Sequence, residues 1–151
     1  SLNWHFTVDQ YHAIQHIPLN ETGRHADRGG PGDMYSIGIE MGEVRSHNPI
    51  VTWNRSAKLT AVLMKQYNIP LRNVVPHYYW TGKNCPAPLL TNGRPGYKWS
   101  WFVSRVDYYR RCLETKPAPA GFVCDKAEEN LSVFCLRQNP LPLSGALAAE
   151  G

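Results

Sequence analysis

Several features that mark particular protein classes are missing from this 151-residue chain. It has no run of about 18 consecutive apolar residues, so no transmembrane helix is expected. No charged stretch followed by an apolar one is visible at the N-terminus, so no secretory signal peptide can be assigned. No internal repeat and no glycine-rich phosphate-binding motif occur, which argues against repeat architectures and common nucleotide-binding folds.

Strong charge is also missing. The net charge of +4 suits contact with anionic cell-wall polymers, although a small basic excess usually serves solubility. The basic and aromatic run Tyr108–Arg111 is interpreted as a solvated helix end, and no nucleic-acid partner is expected. At this length, with 42% hydrophobic residues, the chain has enough apolar content for one domain with a single core.

Apolar periodicity predicts alternating strands and helices. The predicted strands are 4–9, 12–17, 35–41 and 73–77, the predicted helices are 55–67 and 97–112, and 18–34 is predicted to be a glycine-rich loop. Asn54 or Ser56 could cap the first helix. Alternation along the third strand puts Ile37 and Ile39 on one face, and Glu40 on the other.

The segment from His77 to Pro86 holds the clearest chemical signal in the chain. His77 offers an imidazole at the end of an apolar run, and Cys85 offers a thiolate beyond a short turn. This pair favours zinc over calcium or magnesium, which prefer oxygen ligands. Lys83 could stabilise an oxyanion beside such a metal. On spacing alone, however, a surface imidazole and a buried thiol are the commoner arrangement.

The wider pattern resembles the type-2 N-acetylmuramoyl-L-alanine amidases, a family that includes phage and prophage endolysins and is related to peptidoglycan recognition proteins. The motif His-x-x-Trp-x-Gly-Lys-x-Cys-Pro, from His77 to Pro86, is similar to the family's C-terminal zinc segment. Four further stretches are similar to family segments in the same order, namely Asn3–Asp9, Ala13–Pro18, Gly23–Asp27 and Ser36–Glu40. Arg24 departs from the pattern, since the family has an aromatic residue there.

The resemblance implies an α/β fold, with a mixed central β-sheet flanked by helices. It also implies a Zn²⁺-dependent hydrolase that cleaves the amide between N-acetylmuramic acid and L-alanine in peptidoglycan. In the family pattern His77 and Cys85 are metal ligands, Glu40 is the general base, and Lys83 stabilises the oxyanion. The residues expected to contact substrate are His25, Trp4, His5 and Trp80. We expect a monomer that acts on peptidoglycan at the cell wall, as a lysin made in the bacterial cytoplasm does.

One family feature is missing from this sequence. The family's first zinc ligand is a His on an early strand, which would lie upstream of Ser1. We therefore expect residues 1–114 to be an amidase domain without its N-terminal part, and residues 115–151 to be a proline-rich tail or linker. The alternative is a non-catalytic peptidoglycan-binding domain with an incomplete zinc site. Four cysteines leave an odd number once a metal takes Cys85, which argues for reduced cysteines over a disulfide framework.

Overall fold

A computed structural model of the protein describes residues 1–42 and 48–114. Within these residues three short strands form a mixed sheet in the order β2-β1-β3, where β1 is antiparallel to β2 and parallel to β3. The strands are β1 (Phe6–Val8), β2 (Ala13–Gln15) and β3 (Ile39–Met41). The helices are α1 (Pro31–Tyr35), α2 (Pro49–Tyr67), α3 (Tyr78–Thr81) and α4 (Tyr97–Glu114), with 3-10 turns at Leu71–Asn73 and Ala87–Leu89. The predicted α/β architecture is confirmed.

The β1–β2 hairpin forms where the sequence predicted it. Its turn is organised by Asp9, whose carboxylate accepts hydrogen bonds from the backbone N–H groups of Tyr11 and His12, each at 2.6 Å. The register places Thr7 opposite Ile14 and, on the other side of β1, opposite Glu40. Directly paired residues share a sheet face, so Thr7 and Glu40 lie side by side.

Helix α2 lies at the centre of the packing. On one side it contacts the sheet through a buried cluster of Phe6, Val8, Leu19, Leu59 and Leu63. On the other side it packs against α4 through a second cluster of Ala57, Ala61, Met64, Leu89, Phe102, Val106 and Tyr109. Ile37 and Ile39 pack against the sheet cluster, so the core side of β3 is apolar, and Glu40 is exposed on the other side.

The limits of two predicted elements need correction. Helix α2 begins at Pro49, six residues before the predicted start, because the Asn48 side chain accepts from Ile50 N–H and proline is well suited to the first helical position. Asn54 and Ser56 therefore do not cap it. The end at Tyr67 is as predicted, and Asn68 closes the helix in the left-handed conformation. Helix α4 begins at the predicted residue and extends two residues further.

Two predicted strands also differ from the structure. The third strand is shorter, because its first residue, Tyr35, ends α1. The segment 73–77 is not a strand: no described strand pairs with it, and a β conformation depends on such pairing for its backbone hydrogen bonds. Val74 is extended, whereas His77 already has helical backbone angles and stands at the N-cap of α3, which begins at Tyr78.

Three further expectations concern the tail, the cysteines and membrane spans. The proposed tail 115–151 lies outside the described residues. Cys112 is disulfide-bonded, which corrects the expectation of reduced cysteines. Among the described helices, none combines the length and apolar character needed to cross a bilayer.

Candidate active site

A cavity of about 980 Å³ lies between β3, α2 and the residues on either side of α3. Six of the residues singled out from the sequence line it, namely His25, Glu40, His77, Trp80, Lys83 and Cys85. A second cavity of about 820 Å³ adjoins the first and shares His25, His77 and Lys83 with it. Residues that are up to 60 positions apart in the chain are thus brought to one place.

His77 is fixed by a hydrogen bond to a backbone carbonyl. Its Nε2 lies 2.6 Å from the carbonyl oxygen of Ala26, and because that oxygen can only accept, Nε2 carries the proton. In a neutral ring Nδ1 is then unprotonated and can serve as a metal ligand. Metal-binding histidines commonly donate the N–H of the other ring nitrogen to a carbonyl in this way, because the bond fixes both the tautomer and the orientation of the ring.

Cys85 lies beside His77 because the chain folds back after α3. The backbone N–H of Tyr78, the residue after His77, donates to the carbonyl oxygen of Cys85 itself at 3.1 Å. Cys85 is partly buried and is not part of a disulfide. Gly82 allows the intervening turn, since it adopts φ of +72°, a conformation that favours glycine.

Lys83 and Glu40 approach the cavity as exposed side chains. Lys83 follows the Gly82 turn, and no carboxylate among the described residues forms an ion pair with its ammonium group. Glu40 projects from the solvent side of β3, as the strand alternation predicted. A carboxylate and an ammonium therefore line the same cavity as an imidazole and a thiol.

The loop before α1 is organised by two aspartates that cap each other's backbone. Asp33 is 1% exposed, and its carboxylate accepts hydrogen bonds from the backbone N–H groups of His25, Ala26 and Gly29. In return, Asp27 accepts from the N–H groups of Gly32 and Asp33 at the start of α1. Burial raises the pKa of Asp33, but these donors outweigh burial and leave the pKa below its ordinary value.

His25 lies between two glycines. A Cβ atom on Gly23 or Gly38 would lie 2.4 or 2.5 Å from the nearest atom of the imidazole ring, so the ring occupies space that other residues would fill. Ser36 Oγ donates to the carbonyl oxygen of Gly32 and therefore accepts from His25 Nε2 at 3.0 Å. His25 Nδ1 is buried without a partner among the described residues. Burial, then the nearby His5, lowers the pKa of His25 to about 4.

His5 does not reach the cavity surface. It is 2% exposed, its Nδ1 accepts from Gly38 N–H, and its Nε2 donates to the carbonyl oxygen of Glu21, both at 3.0 Å. Burial lowers its pKa. Both ring nitrogens therefore serve the fold, and contact with a substrate or a metal would require His5 to break a backbone bond. We do not retain it as a binding residue.

The two tryptophans occupy different places. Trp80 lines the main cavity and packs against Gly32, where a Cβ atom would lie 2.8 Å from Trp80 Cδ2. Trp4 does not line it. Its indole N–H donates to Thr7 Oγ1 at 2.8 Å, and since Thr7 pairs with Glu40, Trp4 lies on the same sheet face, one strand away.

The donor set fits a soft or borderline metal only in part. Imidazole and thiolate are suitable zinc ligands, whereas catalytic zinc usually has three protein ligands. Among residues 1–42 and 48–114, no group of three or more His, Cys, Asp or Glu side chains is arranged to hold a metal ion. His77 and Cys85 thus supply two donors, and a third is not found among the described residues.

Sequence reasoning missed Asp27 and Asp33, which position the loop. Helix α1 was hidden because Gly30, Pro31 and Gly32 look like loop residues. Two signals could have revealed it: proline is favoured in the first turn of a helix, and a nearby Asp can cap the free N–H groups. The Asp33 contacts, which reach back four to eight residues, have no such local signature.

Comparisons with known proteins point to one family. A family described as N-acetylmuramoyl-L-alanine amidase matches residues 1–88. The chain is 48% identical over 89 residues to the N-acetylmuramoyl-L-alanine amidase XlyA of Bacillus subtilis, covering 58% of this chain and 30% of that protein. It is 41% identical over 129 residues to the amidase CwlH of the same organism, covering 82% and 49%. The chain therefore spans half or less of the length of these curated relatives.

Solved structures show the same similarity. A mutant endolysin from Bacillus subtilis superposes with a TM-score of 0.64 at 43% identity, covering 70% of this chain and 65% of that one. The catalytic domain of XlyA superposes with a TM-score of 0.63 at 42% identity, with the same coverage. At these identities the likeness reflects common ancestry as well as a common fold.

Proposed function

The chain belongs to the N-acetylmuramoyl-L-alanine amidase family, and on that premise we propose that its cavity hydrolyses the amide between N-acetylmuramic acid and L-alanine in peptidoglycan. The observation that carries the proposal is the convergence of His77, Cys85, Glu40 and Lys83 on one cavity. A carboxylate base, a cationic group and metal donors are the kinds of group that metal-assisted amide hydrolysis uses.

We assign the metal donors to His77 Nδ1 and Cys85 Sγ. The Nε2–H bond to Ala26 supports this assignment, because it leaves Nδ1 available. A zinc ion held there would polarise the scissile carbonyl and acidify a water molecule. Among the described residues no third donor accompanies this pair, and two protein donors alone should bind zinc weakly.

The remaining steps belong to the side chains. Glu40 accepts a proton from water as its oxygen adds to the carbonyl carbon. Lys83, whose ammonium group has no carboxylate partner among the described residues, stabilises the oxyanion that forms. When the C–N bond breaks, Glu40 returns the proton to the departing amino group of L-alanine, and the lactyl group leaves as a carboxylate. His25 and Trp80 line the same cavity and are proposed to contact the substrate, and Trp4 could extend that surface across the sheet.

We assign peptidoglycan as the partner and the cell wall as the place of action. The net charge of +4 favours approach to anionic wall polymers. A second candidate function is peptidoglycan binding without catalysis. One observation favours it: among the described residues, only His77 and Cys85 are available as donors for the metal. A pure binder has no chemical use for Glu40 and Lys83 on the same cavity.

Clearing of Gram-positive cell walls tests the proposal. The assay compares this chain, with zinc present and after chelation, with its Cys85→Ser variant. We expect clearing in the presence of zinc, and loss of clearing both after chelation and in Cys85→Ser. Clearing that survives both changes would remove the metal from the proposal. Binding of walls without clearing under any of these conditions would favour the non-catalytic alternative.

The variant Glu40→Gln then tests the mechanism with zinc present. Loss of a general base should lower kcat/KM by about 100-fold or more while bound zinc stays the same. Glu114→Gln is the matched control, because Glu114 pairs with Arg110 on α4. Mass spectrometry of the products should find a free amino group on L-alanine. Full activity of Glu40→Gln would remove Glu40 from the mechanism.

A further inference from the structure

We propose that Asp33 is a positioning residue that holds the Ala26 carbonyl against His77 and so presents His77 Nδ1 to the metal. The inference rests on the proposed function, because it assigns a supporting residue to the same site. Asp33 itself touches neither His77 nor the space where a metal would bind. Its influence passes through the backbone of the loop from His25 to Gly29.

The first step is the way in which Asp33 holds the loop. Its Oδ1 accepts from His25 N–H at 2.8 Å and from Ala26 N–H at 2.6 Å, and its Oδ2 accepts from Gly29 N–H. A carboxylate buried to 1% exposure needs such donors, since no Lys or Arg among the described residues pairs with it. The Asp27 N–H also donates to Oδ1, at 3.4 Å, so four donors fix the loop around one buried carboxylate.

The second step is the direction of the Ala26 carbonyl. The N–H of Ala26 points at Asp33, and the Ala26 carbonyl oxygen accepts from His77 Nε2 at 2.6 Å. The peptide plane that holds this carbonyl also holds the Asp27 N–H, which donates to Asp33 Oδ1 at 3.4 Å, so turning the carbonyl away from the imidazole would break this bond as well. The loop backbone is also constrained at Arg28 and Gly29, which both have positive φ, at 58° and 96°.

The third step is the consequence for His77. A free neutral imidazole exchanges between two tautomers, and only the one with a proton on Nε2 has Nδ1 available as a ligand. Without a fixed carbonyl, the ring can also rotate away from Cys85. Loss of an outer-sphere partner of a metal-binding histidine typically weakens metal binding by about 10- to 100-fold.

The test uses the metal-free chain and the Asp33→Asn variant. An amide offers one acceptor oxygen and turns an NH₂ group toward the loop donors, so it cannot replace the carboxylate. In nitrogen-15 NMR of wild type, we expect a hydrogen-bonded, exchange-protected Nε2 proton on His77. In Asp33→Asn we expect this proton to lose its protection. Asp33→Ser, which keeps one small acceptor, is the second variant if the first does not fold.

The control separates positioning from general loss of stability. Val106→Ala removes buried volume between α2 and α4, and should lower stability by about 1–3 kcal/mol without affecting the His77 signal. An unprotected His77 Nε2 proton in wild type would overturn the inference. So would a protected proton in Asp33→Asn, or equal loss of protection in Val106→Ala.

Zinc competition against a chelator dye completes the test. We expect Asp33→Asn to bind zinc about 10- to 100-fold more weakly than wild type. Equal zinc affinity in both proteins would overturn the role of Asp33 at the metal site. If wild type binds no zinc although the NMR results are as expected, the proposed metal function fails, whereas the positioning of His77 by Asp33 stands.

Discussion

The stability of the metal-free protein should fall as the pH falls from about 7 to about 4, because His25 is neutral in the folded state. The His25 ring fills the space beside Gly23 and Gly38. If its Nδ1 took up a proton, the new N–H would find no hydrogen-bond acceptor among the described residues. Protonation would place a charge in that site, next to the imidazole of His5, whose centroid lies 5.5 Å away.

The magnitude follows from the two pKa values. In the folded protein the pKa of His25 is about 4, whereas an unfolded histidine has a pKa of about 6.5. Between these values the unfolded chain binds a proton that the folded chain does not. Stability is therefore fully present above about pH 6.5 and is lost as the pH falls toward 4, by about 3 kcal/mol in total. The lowered pKa of His5 acts in the same direction.

Urea unfolding at a series of pH values, with chelator present, measures this loss. The informative variant is His25→Phe, which keeps a flat ring between the glycines and removes the titrating group. We expect its stability to fall by about 2–3 kcal/mol less than that of wild type over the same pH range. His12→Phe is the control, because the His12 side chain is 67% exposed, and it should keep the wild-type pH dependence.

Two outcomes would refute the reasoning. One is an unchanged pH dependence in His25→Phe, which would show that other groups cause the acid loss. The other is a directly measured pKa near 6.5 for His25 by NMR, which would show that the folded protein accommodates the charge.

The remaining predictions concern packing and helix ends. Gly38→Ala should lower the free energy of unfolding by about 1–3 kcal/mol, because its Cβ would lie 2.5 Å from His25 Cγ. The Cβ of Gly82→Ala would meet no atom within 4 Å, so this variant should lose only about 1–2 kcal/mol, through the backbone strain of positive φ. Leu59→Ala, at a fully buried position in the sheet cluster, should cost about 2–5 kcal/mol. Asn48→Ala should cost about 1 kcal/mol through loss of the α2 cap. Urea unfolding at neutral pH measures all four, and equal costs for the two glycine variants would contradict the packing role of Gly38.

The sequence predicted those elements whose causes are local. Helix α4 follows from apolar periodicity, the end of α2 from Ile69-Pro70, and the hairpin from the short turn at Asp9-Gln10. By contrast, the segment 73–77 has the composition of a strand but no pairing partner among the described residues, and composition cannot supply one. Helix α1 depends on Asp27, whose contacts exist only once the loop has folded.

For the candidate site, the sequence indicated the chemical groups and could not distinguish their uses. His5, His25 and His77 all looked like functional histidines, and the difference between them lies in what each ring nitrogen bonds. Both nitrogens of His5 are bonded to the backbone, so it supports the fold. His25 lines the cavity, but one of its nitrogens is bonded and the other is sealed from solvent, so the ring is neutral and destabilises the fold in acid. His77 differs from the other two histidines. Its Nε2 is hydrogen-bonded, and among the described residues its Nδ1 neither has a partner nor is sealed from solvent. A histidine that binds a metal needs this arrangement.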